Sequence, residues 1–175
     1  NILKIKGSIT IKIMSNPFVK TYQNELISCV DGAVIEDLDK LGDHTSKAVF
    51  PKNISTKAQL IAKGSGVLAG VAFCEFILQR HGKDVSLNPV YKDGTQFSKG
   101  EVLLYLEGNA QTILSLERIM LNALQRMSGI ATVTSQVLEQ IAHTKCKVLD
   151  TRKTTPNFRV AEKWAVVIGL SLIHI

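Results

Sequence analysis

The run Asp150-Thr151-Arg152-Lys153-Thr154-Thr155-Pro156 sets two cations and three hydroxyls side by side. Such a group can hold an anion. Arg152 offers a planar fork that matches a carboxylate or phosphate, and Lys153 adds a compact point charge. The flanking sequence suggests how the run is positioned. The apolar stretch from Cys146 to Leu149 reads as a short buried strand, and Phe158 to Ile168 has helical periodicity, with Pro156 suited to a helix start. A loop at the carboxyl end of a strand, opening onto a helix N-terminus, is where α/β proteins bind ligands. The alternative is a solvated basic turn.

A second candidate lies upstream. Ile113, Leu116, Met120, Leu124 and Met127 recur at three- and four-residue spacing and predict a helix from about Gln111 to Met127. Ser128-Gly129 reads as its end, and a further helix is expected from about Ala131 to His143. Ser115, Arg118, Asn122 and Gln125 form a polar stripe on the first helix. An Arg on such an apolar helix must be paired or bind a ligand if it is buried. Arg118 is therefore either half of an ion pair or an anion ligand presented at an interface. Lys163 is read as pairing with Glu162 or facing solvent.

Other motifs carry less chemistry. Gly64-Ser65-Gly66 lacks both the Lys-Ser/Thr ending of a P-loop and the GxGxxG spacing, and reads as a turn between strands. Asp43-His44-Thr45 reads as a loop or cap, because one His beside one Asp is not a metal signature. Around these, Phe18 to Leu41 suggests one or two amphipathic helices. Gln59 to Ala62, Val67 to Ala69, Val85 to Tyr91 and Glu101 to Glu107 read as strands, and Val71 to His81 as a helix. The first part of the chain is thus α+β to about Gly108, and a βα pattern then begins.

Composition narrows the function classes. The 175 residues are 45% hydrophobic, enough for a packed core. The net charge of +6 is dispersed rather than gathered into a basic tract, and aromatics make up only 6%, so neither a nucleic-acid partner nor a base-stacking platform is expected. No apolar run reaches the length that spans a bilayer. Cys29, Cys74 and Cys146 are far apart, form no CxxC, and read as free core thiols in a reducing cytoplasm. Residues 1–15 are expected to be a non-native or disordered leader, with no signal-peptide pattern.

Several segments together resemble one family. Glu117 to Thr132 is similar to the ER-x-x-LN-x-LQR-x-SGIAT block of quinolinate phosphoribosyltransferases, and Asp150 to Pro156 to their DTRKTTP. Arg159 to Val166 resembles LR-x-LEKYAV, with Trp164 where Tyr is usual. Glu36-Asp37-Leu38, Gly42 to Ser46 and Ala62 to Gly70 resemble the EDL, GDxTS and AKExGVLAG segments. The likeness runs from about Asn16 to Gly169.

The resemblance implies an enzyme of NAD biosynthesis. It would join quinolinate to phosphoribosyl pyrophosphate with Mg²⁺, giving nicotinate mononucleotide, pyrophosphate and CO₂. The implied architecture is an N-terminal α+β sandwich, residues 16–127, followed by the start of an open α/β barrel, residues 128–175, truncated after about one βα unit. The implied assembly is a homodimer with shared active sites. Thr151, Arg152 and Lys153 would bind substrate, Lys153 also as the catalytic candidate, and Arg118 would reach in from the neighbouring subunit. After Gly169 the chain departs from the family pattern, and the expected Asn-His-Arg and Lys-Asp-Asn-His segments do not follow. By itself the chain is expected to be inactive. It is either a fragment or frameshifted read of a longer enzyme, or a truncated paralogue that only dimerises.

Overall fold

The structure, a computed structural model, describes residues 13, 15–39 and 41–171. The expected leader lies mostly outside them. Ile13, which the leader boundary set apart from the fold, is buried in the core. The His174-Ile175 echo of a family segment also lies outside the described residues.

The chain opens with α1 (Pro17–Thr21) and α2 (Gln23–Leu38). Pro17 sits in the first turn of α1, and the Asn16 carboxamide accepts from the Phe18 and Val19 amides, a cap that satisfies donors the helix leaves free. The segment read as a polar loop forms a short helix, α3 (His44–Val49), capped by Asp43. Then come β1 (Ser55–Ile61), β2 (Gly66–Val67), α4 (Val71–His81), β3 (Val85–Pro89), β4 (Gln96–Phe97), β5 (Val102–Asn109), α5 (Ala110–Ile141) and α6 (Arg159–Leu170).

The strands form two antiparallel sheets. One has the order β1-β5-β3, the other pairs β2 with β4. Gly64-Ser65 therefore does not turn a hairpin, since β1 and β2 belong to different sheets. Ala58 and Leu60 of β1 lie beside Leu106 and Leu104 of β5, which in turn pair with Leu87 and Pro89 of β3. This apolar face packs on α4 and α5. The cap of α4 comes from far along the chain: Asp93 accepts from the Val71 amide at 2.8 Å and the Ala72 amide at 3.1 Å. Burial pushes the Asp93 carboxyl above the usual range despite these bonds.

Three expectations fail here, where tertiary surroundings override the local pattern. Ser128-Gly129 does not end a helix, and α5 runs unbroken through it. A glycine in mid-helix costs about 1 kcal/mol against alanine. Burying one Leu, Ile or Met contributes roughly 1.5–3 kcal/mol, and this helix buries Ile113, Leu116, Ile119, Met120, Leu124 and Met127. Ser128 and Thr132 are docking points instead. The Ser128 hydroxyl accepts from the Ala69 amide at 3.0 Å, and Thr132 Oγ1 accepts from the Val67 amide at 2.9 Å. Gly66 permits this approach, because a Cβ there would lie 2.5 Å from Thr132 Oγ1.

Second, Cys146 to Leu149 is not a buried strand. The segment has no regular structure, Cys146 is exposed, and Leu149 is 84% exposed. A strand needs a neighbour for its backbone groups, and none lies beside this segment among the described residues. Third, only two of the three thiols, Cys29 and Cys74, are core thiols.

Helix α6 returns across α5 at close range. Gly169 marks the crossing: a Cβ there would meet the Ala131 carbonyl oxygen at 2.7 Å and Thr134 Cβ at 2.8 Å. Replacing Gly169 by alanine is expected to force the helices apart and cost about 1–3 kcal/mol, the usual range for overpacking. Urea unfolding measures this, and an unchanged midpoint would show that the crossing is loose. Residues on both sides of position 128 share one core.

Candidate active site

The cationic loop 150–156 leads into α6, and α6 holds it. Lys163 pairs with Asp150 at 2.9 Å, where the sequence offered Glu162 or solvent. Arg159 donates from Nη2 to the Arg152 carbonyl at 3.2 Å and from Nε to Thr154 Oγ1 at 2.9 Å. Within the loop, the Lys153 amide donates to Thr151 Oγ1 at 3.0 Å. The backbone is thus engaged while the charges are not. Arg152 and Lys153 are exposed, and among the described residues neither cationic head has a hydrogen-bond or ion-pair partner. Two unneutralised cations on a held backbone suit an anion clamp.

Arg118 is not buried. Its side chain is 72% exposed and pairs with Asp37 of α2, Nη1 to Oδ1. That hydrogen bond holds the guanidinium in its charged form even more firmly than usual. One carboxylate leaves most of its five donors open. The rest of the polar stripe is partly met within the chain. Ser115 donates to Asp43 Oδ2 at 3.3 Å, while Asn122 and Gln125 are exposed. The Asp43 carboxyl is held below its ordinary value, first by the Ser46 hydroxyl and then by the Ser46 amide. Asp43 is therefore a cap.

Arg118, Asn122 and the segment from Thr155 to Phe158 line one groove of about 630 Å³ between α2, α5 and the start of α6. The two candidate regions, far apart in sequence, so meet along one surface. Thr151, Arg152 and Lys153 do not line it. Cys29 does, but burial pushes its thiol up to about 11, so it is a neutral wall rather than a nucleophile.

The family model for the N-terminal domain of quinolinate phosphoribosyl transferase matches residues 43–128, and that for the C-terminal domain matches residues 130–174. The chain belongs to the quinolinate phosphoribosyltransferase family. It is 38% identical over 162 residues to a tobacco (Nicotiana tabacum) protein described as quinolinate phosphoribosyltransferase (decarboxylating), mitochondrial, covering 93% of this chain and 44% of that one. A probable nicotinate-nucleotide pyrophosphorylase (carboxylating) of Bacillus subtilis is 40% identical over 140 residues, covering 80% and 48%. Among solved structures, the nicotinate-nucleotide pyrophosphorylase of Francisella tularensis superposes with a TM-score of 0.75 at 34% identity, covering 83% of this chain and 52% of that one. The chain spans about half the length of the curated relatives it matches. In this family member the DTRKTTP-like run is a real, anchored loop. Its anchors, Lys163 to Asp150 and Arg159 to Arg152 and Thr154, were not legible as contacts in the sequence.

Proposed function

We propose that the full-length protein transfers a phosphoribosyl group from phosphoribosyl pyrophosphate to quinolinate, with loss of CO₂, in NAD biosynthesis. The observation that carries this reading is the anchored loop, with two cations that have no partner among the described residues, in a chain of this family. Quinolinate is a pyridine with two adjacent carboxylates. Arg152 and Thr151 would hold one carboxylate, with Lys153 beside it as the catalytic candidate, and Arg118 would approach from a second subunit of a homodimer with shared sites.

Binding in this manner orients the ring nitrogen toward C1 of the ribose. As the nitrogen–C1 bond forms, the C1–oxygen bond breaks and pyrophosphate leaves with that electron pair. The ring nitrogen is then cationic. The C2 carboxylate departs as CO₂, its bonding pair is held beside the positive nitrogen, and a proton takes its place to give nicotinate mononucleotide. The protein residues contribute position and charge complementarity.

Mg²⁺ entering with the pyrophosphate is part of the same proposal. Among the described residues no three His, Cys, Asp or Glu side chains come together, and no residue is assigned to the ion. The second domain is read as the start of an open α/β barrel. A cytoplasmic location is also proposed; among the described residues no helix is long and apolar enough to cross a membrane.

The test is product formation by the full-length protein from quinolinate and phosphoribosyl pyrophosphate. Nicotinate mononucleotide and CO₂ in equal amounts are expected. Turnover of nicotinate but not quinolinate would replace the reading by another phosphoribosyl transfer.

A further inference from the structure

Glu162 is a carboxylate in an apolar setting. It is 8% exposed, on a helix whose neighbouring residues Val160, Ala161, Trp164 and Ala165 are all buried. A charge so placed is costly unless its oxygens are satisfied. Both are. Arg126 of α5 donates from Nε to Oε1 at 2.7 Å, and the Thr155 amide donates to Oε2 at 3.3 Å. Arg126 reaches further, donating from Nη2 to the Thr155 hydroxyl. Glu162, Arg126 and Thr155 therefore form a closed triangle joining α5, α6 and the C-terminal end of the cationic loop.

The triangle does more than neutralise a charge. Arg126 itself is half exposed, with 52% of its side chain open to solvent. An apolar residue at position 162 would fill the interior without needing it. What the pair adds is a fixed Thr155, held through both amide and hydroxyl, two residues after Lys153. With Arg159 holding the Arg152 carbonyl and Thr154, the stretch from Arg152 to Thr155 is pinned while its cations stay free.

We infer that Arg126 and Glu162 are positioning residues: their ion pair clamps the loop so that Arg152 and Lys153 meet an anionic substrate already ordered. Preordering of this kind raises affinity by removing the entropy cost of arranging the loop on binding. The inference rests on the proposed substrate role of that loop.

The experiment compares wild type, R126M, R126K, E162Q and the R126M/E162Q double variant, each in the full-length protein. Three quantities are read: the thermal midpoint, the rate of trypsin cleavage after Arg152 and Lys153, and the quinolinate dissociation constant. In R126M, cleavage in the loop is expected to rise about tenfold, and quinolinate affinity to fall by a similar factor, the scale of one charge-assisted bond. Cleavage elsewhere should be unchanged. R126K, which keeps a donor for Glu162, should recover part of both effects. The double variant should be no worse than the poorer single variant, because the two residues act as one unit.

Loop cleavage unchanged in R126M overturns the clamp. So does faster cleavage at all sites together with a lower thermal midpoint, which marks a merely structural pair. Should R152A bind quinolinate as well as wild type, the substrate role of the loop falls, and the clamp as a positioning device falls with it. If R152A loses affinity while R126M keeps it, the substrate reading stands and the clamp alone is wrong.

Discussion

In Arg152→Ala, quinolinate affinity is expected to drop by about tenfold to a hundredfold while the fold stays intact. A hydrogen bond to a charged group contributes about 1.5–3 kcal/mol, and 1.4 kcal/mol is a factor of ten. The second half of the expectation follows from exposure. Arg152 is open to solvent, and its structural contacts are made by its backbone carbonyl, which alanine retains. Calorimetric titration with quinolinate, alongside thermal unfolding of the same variant, separates binding from stability. Arg152→Lys keeps the charge and loses the fork, and should sit between the two. Nicotinate, with one carboxylate, should respond less than quinolinate. Unchanged quinolinate affinity in the alanine variant would remove Arg152 from the site.

Trp164→Ala should have the largest effect on stability. Trp164 is 4% exposed, stacked on Phe18 with ring centroids 4.7 Å apart and planes 13° from parallel, and it meets Phe73 edge-on at 6.5 Å. One indole thus joins α1, α4 and α6. Removing a buried aromatic of this size costs about 3–5 kcal/mol, against a total of about 5–15 kcal/mol for a typical domain. The variant should unfold at much lower urea concentration. Trp164→Tyr keeps a ring between Phe18 and Phe73 and should lose far less. A cost below about 1 kcal/mol for alanine would mean that the three helices hold together without the stack.

These two residues also show what was legible beforehand. Arg152 is recognisable because its neighbours in sequence carry the chemistry: cations and hydroxyls in one short run. The helix from Val71 to His81 falls where its periodicity put it, and the buried set on α5 follows its three- and four-residue spacing. Local pattern is enough where each residue's environment is set by the residues three or four places away. Trp164 reads as apolar, but its partners Phe18 and Phe73 lie far upstream, and no spacing connects them.

The same distinction explains the corrections. Gly129 looked like a helix stop because its local preference is unfavourable, yet contacts from β2 and α6 outweigh it. Cys146 to Leu149 looked like a strand because it is apolar, yet a strand exists only through a neighbour. For Arg118 the sequence left an ion pair and an anion ligand open, and the fold supplies the pair, with Asp37.

By itself the sequence determined the family, the two cationic candidates and the type of most elements, since motif chemistry and hydrophobic period are written in adjacent residues. Tertiary structure alone decided which charges are left free. Lys163 goes to Asp150, Glu162 to Arg126 and Arg118 to Asp37, while Arg152 and Lys153 remain unpaired among the described residues. Ion pairing depends on distances of a few ångströms between side chains remote in sequence, and only the folded chain sets those distances.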